Sequence, residues 1–475
     1  MNLQLLNPFA HENFPERVDS SIDANAQCVR FNGGSNRFAG SYLAIGRTDG
    51  RVAILDIATR AYLRFLEGHV KAVISLCWSH NSRYLLSASR DWMAIIWDLA
   101  TGSRVSTIRF DAPILSATLH PRNSKILVVV LQNTPCATLI DLREEFGGRF
   151  DLEAGNDGGR ADAQPQTSKK RKENATFARF TPRGDLVFVG SSQGSLYVFD
   201  TQTKQLVHKE DVSRSSSIKS LEFDKAGLSL IVNSNDRIIR VYSVEELAHY
   251  ARALPGLLGP RTPQYLTPMH RFQDLINRTP WNTLRFSNDG EYIIGGAGHK
   301  AAHQIYLWDH STGSLTKILE GPKDPLEDLD WHPVMPLCVS VSSDQGLVHI
   351  WATNIAERWS AYAPGFEELE ENLEYVERED EFDVEDESEA EKRKLYQESF
   401  IDIAESDAPT NIPLPPSHAS NLRLQAYIAS SDAWADCEPD GDDLQDFAVP
   451  VDVDLLDLDI ENTDLAQIDD SENGR

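Results

Sequence analysis

A seven-bladed β-propeller with a disordered acidic C-terminal tail is the all-β fold this chain predicts, and three observations carry it. Apolar strand patterns recur at a period of roughly 40 residues, the signature of a repeat architecture. Several copies close on Trp-Asp or on an apolar residue and Asp, as in IWD at 96–98 and LWD at 307–309. The charge is partitioned: residues 360–475 carry 35 Asp or Glu against 6 Lys or Arg, a net of −29, whereas residues 1–359 carry 39 basic and 38 acidic side chains. That asymmetry reads as a near-neutral folded domain with an acidic interaction tail.

The seven units begin at Cys28, Ala72, Pro113, Ala175, Ile218, Trp281 and Leu326. Their third strands are expected to end at Asp56, Asp98, Asp141, Asp200, Tyr242, Asp309 and Trp351. The two longer intervals hold inserts at about 147–173 and 247–270, which a propeller carries in surface loops. Ring closure usually borrows a strand from the far terminus, and the apolar run NLQLL at residues 2–6 is the expected donor to the last blade. The organisation expected is a propeller over 1–359, a partner-docking segment over 360–405 and an acidic tail over 406–475.

The second unit places His69, Ser87 or Ser89, Asp91 and Trp97 in the order of the structural hydrogen-bond chain of a WD blade. The same types would serve a Ser/His/Asp triad. The structural reading is favoured, because an unpaired buried polar group costs ~1–3 kcal/mol and this chain satisfies several. No phosphate loop, HExxH, GxSxG or kinase signature occurs, so no catalytic residue, cofactor or metal is expected. Cys28, Cys77, Cys136, Cys338 and Cys437 are scattered and odd in number, which argues against a disulfide framework or a zinc site and for a reducing compartment. The N-terminus lacks a signal-peptide pattern and no run of about 18 apolar residues occurs, so no membrane association is expected.

Two segments point to partners. Lys169, Lys170, Arg171 and Lys172 form a basic run inside the first insert, of the kind that serves nuclear import. Beyond the propeller, NLEYVEREDEFDVEDESE at 372–389 sets Tyr375, Val376, Phe382 and Val384 among carboxylates, the composition of a tethered docking peptide.

The stretch WSAYAPGFEELEENLEYVEREDEFDVEDE from Trp359 resembles the propeller exit of the retinoblastoma-binding protein five family and its fungal counterparts. These are scaffold subunits of COMPASS-type complexes that methylate lysine 4 of histone H3. MNLQLL at the start, LCWSHNSRYLLSASRDW from Leu76, SNDRIIRVY from Ser234, LINRTPW from Leu275, FSNDGEYIIGG from Phe286 and WHPVMP from Trp331 extend the resemblance to about residue 405. It implies a nuclear, non-catalytic subunit that activates a SET-domain methyltransferase. Glu374, Tyr375, Glu377, Arg378, Glu379, Phe382, Asp383 and Val384 would be the activating stretch. Glu385, Asp386, Glu387, Ser388, Glu389 and Glu391 would dock on a SPRY-domain subunit, with Ser388 also matching an acidophilic kinase site. Phe400, Ile401, Asp402 and Ile403 resemble the motif that binds a second, smaller WD40 propeller subunit. Arg237, Arg278, Lys300 and Lys323 would face nucleosomal DNA. A substrate receptor of a cullin-type ubiquitin ligase is the alternative; such receptors often carry Arg two positions after Trp-Asp, where this chain has Ala100 and Ser311. A histone chaperone would tolerate scrambling of the tail, which a sequence-specific scaffold would not.

Overall fold

The computed structural model describes residues 14–33, 38–143, 147–153, 173–213, 215–244, 266–273, 279–299, 302–353, 392 and 448–450. The chain divides into two compact units, Met1–Asn354 with Ser431–Arg475, and Ile355–Ser430. Of the second unit only the exposed Lys392 is among the described residues. In the first, the described residues form 28 strands in seven four-stranded sheets, each strand pairing antiparallel with its neighbour.

The innermost strands of blades one to seven are Ala26–Phe31, Val73–Trp78, Ile114–Leu119, Ala175–Phe180, Ile218–Phe223, Trp281–Phe286 and Leu326–Trp331. Each packs beside the inner strands of both neighbouring blades, and the ring closes between Leu326–Trp331 and Ala26–Phe31. Second strands such as ILVVVL at Ile126–Leu131 are buried along their whole length. Blades cover both faces of these strands, so an unbroken apolar run replaces the alternation of a half-solvated strand. Outer strands such as Ser103–Arg109 are mostly exposed.

A polar side chain follows the inner strand in every blade and caps the turn into the second strand. Asn32 Oδ1 accepts from the amide of Tyr42 at 2.9 Å, Ser79 Oγ from Tyr84 at 2.9 Å and Ser287 Oγ from Tyr292 at 3.0 Å. In blades three and seven histidine does this: His120 Nδ1 accepts from Arg122 and Asn123, and His332 Nδ1 from Val334 and Met335. These bonds satisfy turn amides that would otherwise be left unpaired where water is scarce.

Charges on the inner strands stitch four consecutive blade junctions. Arg179 of blade four meets Glu222 of blade five at 2.7 Å, Glu222 also pairs with Arg285 of blade six, and Arg285 Nε lies 2.9 Å from Asp330 of blade seven. Asp330 then accepts from the Phe31 amide of blade one at 2.8 Å, and Asp328 from Arg30 at 2.6 Å. Opposite charges alternate along this chain, so each buried ion has at least one partner.

Third strands end at Asp56, Asp98, Asp141, Asp200 and Asp309 as expected, while Ile239–Ser243 and Leu347–Ala352 run one residue further. Three expectations are corrected. The strand that completes the last blade is Arg17–Asp23, not residues 2–6: it pairs with Leu347–Ala352 from Arg17 opposite Ala352 to Asp23 opposite Leu347. Its sequence RVDSSID is polar because an outer blade strand faces solvent, and every second residue of it is exposed. The segment expected as the first insert contains the outer strand of blade three, Gly148–Leu152, so the extra residues lie between blades three and four. The second insert ends inside the outer strand Thr267–Phe272 and separates it from the third strand of blade five.

Candidate interaction surfaces

The only arrangement resembling catalytic machinery among the described residues is sealed. Asp91 Oδ2 lies 3.0 Å from His69 Nδ1, His69 Nε2 lies 2.8 Å from Ser87 Oγ, and Trp97 Nε1 donates to the same oxygen at 2.8 Å. Ser87, rather than Ser89, is the member of the chain; Ser89 Oγ donates instead to the carbonyl of Lys71. Ser87 is fully buried and its oxygen already meets His69, Trp97 and the Ile95 carbonyl, so no substrate reaches it. Burial holds the His69 imidazole below its ordinary pKa, against the opposing pull of the Asp91 carboxylate. The seventh blade repeats the theme with a histidine from its neighbour. His303, in the turn of blade six, meets Ser340 Oγ at 2.7 Å, and Trp351 Nε1 donates to that oxygen at 2.8 Å.

In a four-stranded antiparallel blade, the turn between the second and third strands and the link to the next blade emerge at the same end. Arg237, in such a turn of blade five, and Lys323, in the link from blade six to blade seven, therefore share one face of the propeller. Both are exposed, and neither has an ion-pair partner among the described residues. Arg237 occupies a left-handed conformation with φ 68°, and its carbonyl accepts from Trp281 Nε1 at 3.1 Å. The matching turns of blades one, four and seven place glycine at φ 93°, 89° and 66°, at Gly50, Gly194 and Gly346. Trp92 holds the same position in blade two at φ 72° and is 40% exposed. Bulky side chains thus occupy, at a steric cost, turns in which three other blades use glycine.

The opposite face carries a second feature. Val449 is buried, and it belongs to an apolar cluster with Tyr42, Leu63 and Leu99, against which Phe38 is partly buried. Tyr42 begins the second strand of blade one, Leu63 lies in its outer strand, and Leu99 follows the third strand of blade two. The Val449 amide donates to Tyr42 Oη at 3.2 Å. Burial pushes the Tyr42 phenol above its ordinary pKa, so it remains an uncharged hydroxyl.

Comparison with known proteins places this architecture. Residues 60–98 match the family model described as WD domain, G-beta repeat. The chain is 37% identical over 426 residues to "Set1 complex component swd1" of Schizosaccharomyces pombe, covering 89% of this chain and 100% of that protein. It is 38% identical to the "Retinoblastoma-binding protein 5 homolog" of Drosophila melanogaster, covering 82% of this chain and 73% of the relative. The chain belongs to the Swd1/retinoblastoma-binding protein 5 family. Among solved structures, the Cps50 (Swd1) β-propeller domain of Myceliophteria thermophila matches with a TM-score of 0.63 and 34% identity, over 71% of this chain and 100% of that one.

Of the residues that the family resemblance singles out, the structure places Arg237 and Lys323, together on one face. Arg278 and Lys300 lie outside the described residues, as do Lys169–Lys172, the activating stretch 374–384, the SPRY-docking residues 385–391 and Phe400–Ile403. Sequence reasoning in this Swd1-type chain missed Val449. The signal was the short apolar island FAVPV at 447–451, set between Asp446 and Asp452. Trp92 was missed because its indole looked like one more strand tryptophan.

Proposed function

We propose that this chain is a non-catalytic scaffold subunit of a Set1/COMPASS-type histone H3 lysine-4 methyltransferase complex, acting in the nucleus. The observation that supports this above all is the 37% identity spanning the whole of a protein named as a component of the Set1 complex. A second relative, from Saccharomyces cerevisiae, is named "COMPASS component SWD1" and is 32% identical over 85% of this chain and 92% of its own length.

In this reading the segment after the propeller contacts the SET-domain and SPRY-domain subunits, and Phe400–Ile403 contacts a second WD40 propeller. A peptide that orders on binding must offset about 2–5 kcal/mol. Burying Tyr375 and Phe382, at roughly 150–250 Å² each, contributes several kcal/mol at about 25 cal/mol per Å². Carboxylates such as Glu374, Glu377, Glu385 and Asp386 then fix orientation by pairing with Arg or Lys on the partner. Arg237, Arg278, Lys300 and Lys323 engage nucleosomal DNA, and Lys169–Lys172 direct import.

The test is methylation of nucleosomal H3 lysine 4 by a reconstituted SET and SPRY core, with either the wild-type chain or Tyr375→Ala/Phe382→Ala. Loss of stimulation with an unchanged melting temperature is expected. Equal stimulation by the variant would remove the activating role from this segment.

A further inference from the structure

Beyond Thr353 the described residues are Lys392, Ala448, Val449 and Pro450, and of these Val449 alone is buried, at 6% exposure. Its neighbours Ala448 and Pro450 are exposed. A single side chain therefore enters the propeller surface while the backbone on both sides stays outside, which is the geometry of a plug in a socket.

The local sequence suits that role. A residue before proline is driven to extended backbone, and a β-branched side chain stiffens it further. Val449 before Pro450 thus presents its side chain in a preset conformation, which lowers the ordering cost of docking. The socket adds one directional contact, the Val449 amide on Tyr42 Oη, to the apolar contact with the cluster. The charges also agree. Arg64 Nη1 donates to the carbonyl of Leu99 at 3.2 Å, placing a guanidinium beside the cluster, and the sequence flanking the plug carries Asp442, Asp443, Asp446, Asp452 and Asp454.

We propose that Ala448–Val449–Pro450 is an internal anchor by which the propeller holds its own C-terminal tail, at the edge of blades one and two opposite the face of Arg237 and Lys323. The chain is then tied to the propeller at Val449 as well as at the end of the last blade strand, Leu347–Ala352. The anchor stands on burial and hydrogen bonding alone. Its consequence for partner docking, that Tyr375, Phe382 and Phe400–Ile403 lie in sequence between two points of attachment, rests on the function proposed above. The test reads the socket without methylation, so the two ideas fail separately.

A fluorescent peptide spanning residues 444–454, LQDFAVPVDVD, is titrated into the full-length wild-type chain and into full-length Val449→Asp. In the wild type the tail competes at a local concentration on the order of mM, so the labelled peptide binds at least tenfold more weakly than to the variant. Adding Tyr42→Phe to Val449→Asp removes the hydrogen-bond acceptor and weakens peptide binding several-fold. Equal binding to both chains, or none to Val449→Asp with its melting temperature unchanged, would overturn the anchor. Independently, a benzoylphenylalanine photo-crosslinker in place of Phe38 should label residues 444–454 of the same chain in the wild type and lose that product in Val449→Asp. Labelling that ignores the substitution would also sink the proposal.

Discussion

His120 must be neutral for blade three to keep its turn, because Nδ1 accepts the amides of Arg122 and Asn123 and a protonated nitrogen accepts nothing. Burial drives its pKa down to about 4. His303 is also lowered to about 4, by burial and by the neighbouring His349. The unfolded chain protonates both near pH 6.5. Between pH 6.5 and 4 the unfolded state therefore binds more protons than the folded one, and stability falls as pH drops through that window. Each histidine forfeits on the order of 3 kcal/mol by pH 4. Denaturant unfolding of the wild type and His120→Asn at pH 7 and pH 4.5 checks this. Asn32 already performs the same capping in blade one, so the variant should lose little at pH 7 and show a shallower decline at pH 4.5; parallel declines would exclude His120 as a source. At this scale the sequence was legible where partners sit within one repeat, as with His69, Ser87, Asp91 and Trp97. It was silent for His303, Ser340 and Trp351, whose histidine comes from a different blade and follows no repeat spacing.

The elements divide by how many of their faces are covered. Second and third strands are sheathed by neighbouring blades and announce themselves as apolar runs. Outer strands resemble linkers in sequence, which is why an apolar segment at residues 2–6 drew attention away from RVDSSID at Arg17–Asp23. Between blades four and seven the inner strands are also tied by the charge chain from Arg179 to Asp330, which no single repeat reveals because each partner lies in a different unit. Glu222 is its centre, serving Arg179 and Arg285 at once. Glu222→Ala leaves two guanidinium groups short of a partner and should reduce unfolding free energy by about 3–5 kcal/mol. Replacing all three with apolar residues and neutralising Asp330, the other partner of Arg285, as in Arg179→Met/Glu222→Leu/Arg285→Met/Asp330→Asn, removes the stranded charges while leaving an amide oxygen for the Phe31 amide, and should cost less than the single change. Urea denaturation of both variants decides it: a quadruple variant that is weaker than Glu222→Ala would mean that the ion pairs themselves supply net stability.

Over the whole molecule, the charge partition read from composition separates two kinds of surface. Residues 1–359 are almost balanced, so any attraction to a polyanion must come from local placement, whereas residues 360–475 repel one throughout. Chain topology supplies that placement for Arg237 and Lys323, which emerge at the same end of the propeller from blade five and from the link between blades six and seven. If these two side chains each neutralise a DNA phosphate, they release counterions, and the logarithm of nucleosome affinity should fall less steeply with the logarithm of salt once they are gone. Arg237→Ala/Lys323→Ala should flatten that slope by about two units, and adding Arg278→Ala and Lys300→Ala by up to about four. The tail contributes in the opposite sense, since its carboxylates oppose the approach of DNA and are screened by the same salt. Measuring the slope in parallel on a chain ending at residue 405 separates the two terms: the difference between wild type and the double variant should persist without the tail. A slope unchanged by the double substitution in both backgrounds would assign Arg237 and Lys323 to ordinary solvation, and the strained turn at Arg237 would then need a partner other than nucleic acid.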